Sequence, residues 1–252
     1  MNPILQEILN TGCVSSPDGS IIKVHSAVSC EDGKFLQELI FELKPTITLE
    51  IGLAFGVSAL FICDALEKTS GTKHIIIDPD QIEKFEGIGL RNLKAAGYSD
   101  MVEFYNLPSY RALSGLEAEG RKVNIAFIDG WHTFDYVLVD FFFIDKMLEV
   151  GGIVVFDDAN WPSIRKVCRY IATNQPYSVY KCAEPIKKPE LSFKRRIFNN
   201  IVVRFLKTFD GRMRILRPEA VRTDIELGLH GGCIAFKKES EDKRRYDEDI
   251  PF

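Results

Sequence analysis

The 252-residue chain has no C-x-x-C pair among its six cysteines, no excess of basic residues and no long apolar run. Scattered thiols (Cys13, Cys30, Cys63, Cys168, Cys182, Cys233) exclude a disulfide framework and a cysteine-built zinc site. A net charge of -4 excludes the global positive field of a nucleic-acid binder. The opening "MNPILQEILN" has no basic leader region and contains Glu7, so it does not read as a signal peptide. The most apolar window, "FFFI", is fenced by Asp140 and Asp145, far short of the ~20 residues that span a bilayer. Internal repeats and low-complexity linkers are also missing. These absences leave a single cytoplasmic domain as the expectation.

What is present is an ordinary globular composition, 46% apolar and 27% charged. A chain of this length buries a large core without staples. From about residue 31 to 182, short β-branched runs alternate with helical patterns. "SCEDGKFLQELIFEL" opens on a capping signature, Ser29 with Asp32 three residues later. The runs "TITLEI", "KHIIID", "MVEFYN", "VNIAFI", "GIVVF" and "YSVYKC" read as strands, and "GGCIAFK" as a last one. Between them lie helices at 56–68, from Gln81 to about Gly97, at 109–120, from Thr133 to about Val150, and after Pro162. Such alternation predicts an α/β fold with a parallel sheet covered on both faces.

Ligands of open parallel sheets bind at the carboxyl ends of the strands. There the first run gives Glu50-x-Gly52-x-x-x-Gly56, with Ser58 just inside the next helix. Glycines let backbone approach a ligand, and the helix N-terminus offers free N–H groups. The spacing is not the dinucleotide fingerprint G-x-G-x-x-G. Asp78 closes the second run, 26 residues after Gly52, where a carboxylate can accept from both ribose hydroxyls. A tight turn and a solvated loop acid are the plain alternatives, but together the two features favour a nucleoside ligand.

Glu50-x-Gly52-x-x-x-Gly56 followed by Asp78 resembles the cofactor half of class I S-adenosylmethionine-dependent methyltransferases. The resemblance implies a Rossmann-like doubly wound, mostly parallel seven-stranded sheet with helices on both faces. It places Gly52, Gly56 and Ser58 at the methionine end of S-adenosylmethionine, Asp78 at the ribose and Ser109 near the adenine, and it counts Glu50 among the cofactor-binding residues.

Asp129 closes "VNIAFI", and Asp157 and Asp158 close "GIVVF". On neighbouring strands ~4.8 Å apart the three carboxylates can converge. Three carboxylates without a soft ligand suit a hard divalent ion such as Mg²⁺. Strand-end punctuation remains the alternative, with Asp158 as a cap of the helix near Pro162. "FIDGWH" and "VVFDDANW" are similar to the metal-dependent branch of the family, the catechol and antibiotic-sugar O-methyltransferases. That resemblance implies Mg²⁺ on Asp129, Asp157 and Asp158, contact of Asp129 with the cofactor, His132 as the general base, and Trp131 as a wall of the acceptor pocket. His132 as a cap or core histidine is the competing role.

Residues 1–28 form an N-terminal extension without a readable role. The stretch 183–228 breaks the rhythm, with eleven Lys/Arg against six Asp/Glu. In it Phe193, Ile197, Phe198, Ile201, Val202, Phe205 and Leu206 share one helical face, which suits packing or a homodimer contact, a lid, or a membrane-surface helix. The expected activity is Mg²⁺-dependent O-methyl transfer to a small molecule with adjacent oxygens. The rivals are a metal-independent methyltransferase, a non-catalytic cofactor binder, and an NAD-dependent oxidoreductase.

Overall fold

A computed structural model describes residues 1–69, 71–183, 222–245 and 247. In chain order its elements are α1 (Pro3–Thr11), β1 (Cys13–Ser15), β2 (Ile21–Lys23), α2 (Cys30–Leu43), β3 (Ile47–Ile51), α3 (Val57–Thr69), β4 (Lys73–Ile77) and α4 (Ile88–Ala95). They continue as β5 (Val102–Tyr105), α5 (Ser109–Ala118), β6 (Val123–Ile128), α6 (Phe134–Met147), β7 (Leu148–Phe156), α7 (Pro162–Asn174), β8 (Tyr177–Cys182) and β9 (Ile234–Lys238). The amphipathic face from Phe193 to Leu206 lies outside the described residues.

β3 to β9 form one sheet in the order β5-β4-β3-β6-β7-β9-β8, parallel except where β9 runs antiparallel between β7 and β8. The expected mostly parallel seven-stranded sheet is therefore observed. Side-chain alternation divides its residues between two cores. Leu49, Ile51, Ile75 and Ile77 face α5, α6 and α7. Ile76, Ile125 and Phe127 face the side of α1 to α4. Each large apolar side chain buried this way contributes about 1.5–3 kcal/mol. No helix among the described residues is long and apolar enough to cross a membrane.

The structure gives residues 1–28 a form that the sequence reading left blank. Asn2 caps α1 by accepting from Ile4 N, Pro3 occupies the first turn, and Gly12 closes the helix at φ 65°. β1 and β2 then pair as a hairpin beside it. Ser29 caps α2 as anticipated, accepting from Asp32 N at 3.1 Å and donating to Asp32 Oδ2 at 2.6 Å.

The helix expected from Gln81 is shorter, beginning at Ile88. Glu86 and Gly87 take left-handed φ values of 52° and 70°, which an α-helix cannot contain. Gln81 is meanwhile drawn inward: its amide donates to Ala54 O at 2.7 Å and accepts from Gly89 N at 3.0 Å.

Asp140, 1% exposed on α6, is an acid inside the second core. Its Oδ1 has no partner, and burial pushes the carboxyl up to about 6 despite the Ser109 hydroxyl. A carboxyl raised in the folded state keeps its proton where the unfolded chain has lost it. Its cost to stability is absent below about pH 4, grows towards pH 6, and is complete above that. Asp140→Asn, which imitates the neutral acid, is expected to raise the melting temperature at pH 8 by on the order of 5 °C and to change little at pH 4. Equal shifts at both pH values would show that ionisation is not the cause.

Candidate active site

The strand order turns between β3 and β6, so their carboxyl ends open the crevice that such sheets use for ligands. A cavity of about 910 Å³ lies there, lined by the turn after β3, the ends of β4, β6 and β7, and the start of α2. Gly52 sits at φ 92°, and a Cβ on it would collide with the backbone carbonyl of Asp129. Only glycine lets the two strand ends approach so closely.

The turn is braced from below. Asp78 Oδ2 accepts from Leu53 N at 2.9 Å and Ala54 N at 3.0 Å, and Oδ1 accepts from Asp80 N at 2.8 Å. Asn92 donates to Phe55 O at 2.9 Å, which joins Gln81 in tying the turn to α4. Gly56, at φ 82°, packs against Gly89.

Among the residues the sequence singled out, Gly52, Ser58, Asp78, Ser109, Asp129, Trp131, His132, Asp157 and Asp158 all line the cavity. Glu50 and Gly56 do not. Glu50 lies one layer beneath, with Oε2 3.0 Å from His74 Nε2.

The acids divide into two neighbouring groups. His132 Nε2 stands 3.4 Å from Asp129 Oδ1 and 3.7 Å from Asp158 Oδ2, and no hydrogen bond of normal geometry satisfies it. Asp158 holds a left-handed φ of 48°, which an aspartate tolerates, and Ser163 donates to His132 O at 2.6 Å. The cap role considered for Asp158 is not taken: Trp161 precedes α7 without a side-chain cap. His132 likewise is no cap, since Thr133 holds that place before α6.

Asp157 lies instead with Asp32 and Cys233, their candidate ligand atoms all within 4.8 Å of one another. Burial pushes the Cys233 thiol well up, which keeps it neutral in the absence of a metal.

Electrostatics reflect this crowding. Burial first, then the charge of Asp129, pushes Asp157 up to about 8. Burial also pushes Asp129 up to about 6 against the opposing pull of His132. The Asp129 carboxylate in turn raises the basicity of His132. Without a cation Asp157 keeps its proton at neutral pH; a hard divalent ion would replace that proton with a better counter-charge. The carboxylates present, Asp129 and Asp158 in one group and Asp157 and Asp32 in the other, are hard oxygen donors of the kind that suits Mg²⁺.

Sequence reasoning missed three cavity residues. Asp32 had shown itself only as a capping partner, and α2 carries it over the end of β7. Asp80 lines the cavity two residues past Asp78 and pairs with Lys84 at 2.7 Å. Trp161, 51% exposed, has its ring 5.4 Å from that of His132. Trp131 lies elsewhere, 6.3 Å from Tyr136 and with Lys84 6.0 Å over its ring. The indole beside the histidine is therefore Trp161.

Residues 49–159 match the family model described as a methyltransferase domain. A putative caffeoyl-CoA O-methyltransferase of Arabidopsis thaliana is 30% identical over 134 residues, 53% of this chain and 55% of the relative. A caffeoyl-CoA O-methyltransferase of Eucalyptus globulus is 28% identical over 139 residues, 53% and 52% respectively. The chain spans about half the length of the curated relatives it matches. Among solved structures, a Bacillus cereus O-methyltransferase in complex with SAH superposes with a TM-score of 0.58 at 23% identity, covering 71% of this chain and 83% of that one. The O-methyltransferase TomG of Streptomyces achromogenes, in complex with SAM, gives 0.55 at 18%, covering 95% and 91%. These two likenesses concern the fold. Over residues 49–159 the chain is therefore similar to a methyltransferase domain, and it shares its fold with the two solved O-methyltransferases.

Proposed function

We propose that the chain transfers the methyl group of S-adenosylmethionine to a hydroxyl of a small acceptor with adjacent oxygens, a catechol, another phenol or a sugar diol. The observation that carries this reading is His132 Nε2 standing 3.4 Å from Asp129, in the cavity that Gly52 and Ser58 also line. The turn at Gly52 and the start of α3 hold the methionine end of the cofactor, Asp78 and Asp80 the ribose, and Ser109 the adenine side. Trp131, with Tyr136 and Lys84 around it, belongs to this cofactor half, whereas Trp161 flanks the acceptor.

The reaction is an in-line displacement: an acceptor oxygen bonds to the methyl carbon as the carbon–sulfur bond breaks and the thioether leaves. Asp129, Asp157 and Asp158 would hold Mg²⁺, which when bound lowers the pKa of a nearby acceptor hydroxyl. His132 takes the hydroxyl proton onto its imidazole, whose basicity the neighbouring Asp129 raises. Trp161 covers the imidazole and excludes water from that side.

Calorimetric titration tests the reading at its first step. S-adenosylhomocysteine is expected to bind and NADH to fail, and a panel of catechols, phenolic acids and sugar diols to include one that releases S-adenosylhomocysteine in the presence of Mg²⁺. Preference for NADH would overturn the reading.

A further inference from the structure

Asp157 immediately follows β7, and Cys233 immediately precedes β9. These strands run antiparallel with Phe156 opposite Ile234, so the next step of the register sets Asp157 opposite Cys233. Val155 and Ala235, two residues from them on each strand, belong to the first core, as does Cys233. On that side the first turn of α2 brings Asp32 over the strand ends. An oxygen of Asp32, an oxygen of Asp157 and the Cys233 sulfur thus lie within 4.8 Å of one another.

A buried free cysteine is ordinarily a small hydrophobe packed among carbons. Cys233 is wholly buried, yet its sulfur faces two carboxyl groups and has no hydrogen-bond partner among the described residues. The carboxyls are also short of partners. Asp32 Oδ2 accepts the Ser29 hydroxyl, and no ion pair among the described residues reaches Asp32 or Asp157. Two acids and a thiol therefore converge on one point with no cation between them.

Asp32, Asp157 and Gly232, the residue before Cys233, all line the cavity. An ion entering there meets the two carboxylates first and the sulfur as the floor beneath them. Around a tetrahedral ion with arms of about 2.0–2.3 Å, donor atoms stand roughly 3.3–3.8 Å apart, so the three close by at most about 1.5 Å. The metal–sulfur bond forms as the thiol proton leaves to solvent. Two oxygens and one thiolate leave a fourth position for water from the cavity, the arrangement of an open zinc site. The sulfur decides which ion: Mg²⁺ keeps to oxygen ligands and water, whereas a thiolate selects Zn²⁺ and its spectroscopic substitute Co²⁺. No cysteine spacing announces such a site, because one thiol and two distant acids leave no pattern in sequence.

We propose that Asp32, Asp157 and Cys233 form a second cation site, for a borderline divalent ion such as Zn²⁺, beside the group of Asp129, Asp158 and His132. Asp157 is the carboxylate that the two groups share. The site goes beyond the functional reading above, since it needs neither cofactor nor acceptor.

The test is a titration of the metal-free full chain with Co²⁺, read by the near-ultraviolet absorption of sulfur-to-cobalt charge transfer. Wild type is expected to develop the band and to saturate at one ion per chain. Zn²⁺ is expected to bleach it at stoichiometric amounts, and Mg²⁺ to leave it in place at a hundredfold excess. Cys233→Ser is expected to abolish the band while unfolding remains cooperative. If that variant fails to fold, Asp32→Asn takes its place: the band is expected to persist but to need more Co²⁺, by at least the roughly 10–100-fold cost of losing an outer partner of a metal ligand. A wild-type chain without the band would overturn the site, as would a band that survives Cys233→Ser, an Asp32→Asn titration that matches wild type, or bleaching by Mg²⁺ as effective as that by Zn²⁺.

Discussion

Asp157→Ala is expected to lower methyl transfer by roughly 10²–10³, the scale of removing one preorganised electrostatic group from a reaction centre. Asp157 is the acid that burial and neighbouring charge push furthest up, to about 8. As a proton-bearing carboxyl it contributes little; as a metal ligand with Asp129 and Asp158 it would answer a cation. EDTA is expected to reduce wild-type turnover to about the variant's level and to leave the variant unchanged. Affinity for S-adenosylhomocysteine stays within a few-fold in both cases, because the glycine turn and Asp78 are untouched.

A second measurement separates metal binding from catalysis. The raised carboxyls and the raised imidazole lose stability in the same direction. Ionisation of Asp157 costs progressively more from about pH 4 to about pH 8, and the His132 contribution fades as pH rises through its elevated value. Mg²⁺ competes with those protons, so it is expected to raise the melting temperature more at pH 8 than at pH 5. If turnover survives both EDTA and Asp157→Ala, and Mg²⁺ leaves the melting temperature unmoved, the acids are structural and the enzyme is metal-independent.

The other large effect concerns the base. His132→Ala is expected to reduce kcat by ~10²–10⁴, the usual contribution of a positioned proton acceptor. The side chain is half-buried, fixed through its own carbonyl by Ser163, and covered by Trp161. Removing the ring therefore takes away the acceptor atom without disturbing the strand ends. Cofactor affinity is expected to hold, and the acid limb of the pH–rate profile to disappear with the imidazole. Should the variant instead lose S-adenosylhomocysteine, His132 serves the shape of the loop after β6.

Much of the site was legible because it is local in sequence. Gly52, Asp78, Asp129, Asp157 and Asp158 each follow a strand by one or two residues, and parallel strands bring such positions to one sheet edge whatever their separation along the chain. His132 was legible for the same reason, lying three residues past Asp129. Asp32, Asp80 and Trp161 were not. Asp32 carries a complete local explanation as the partner of Ser29, and nothing near it in sequence announces that α2 begins over Asp157. Trp131 and Trp161 stand in equally suggestive motifs, and only the positions of α6 and α7 decide which indole meets the imidazole. The N-terminal helix could have been read: Asn2, Pro3 and Gly12 are ordinary start and stop signals. The over-long helix before Gly97 could not, because Gln81 is recruited by a turn 27 residues away.

The sequence by itself determined the alternation of strand and helix, hence a sheet buried on both faces with its chemistry at the carboxyl ends. Periodicity and strand-end residues encode those features locally. The tertiary structure alone decided how the charges are grouped. It set His132 between Asp129 and Asp158, gave Asp157 to Asp32, and placed His74 between Thr48 and the half-satisfied Glu50. Such groupings depend on contacts of a few ångströms between side chains tens of residues apart, and only the packing of the whole sheet against its helices fixes them.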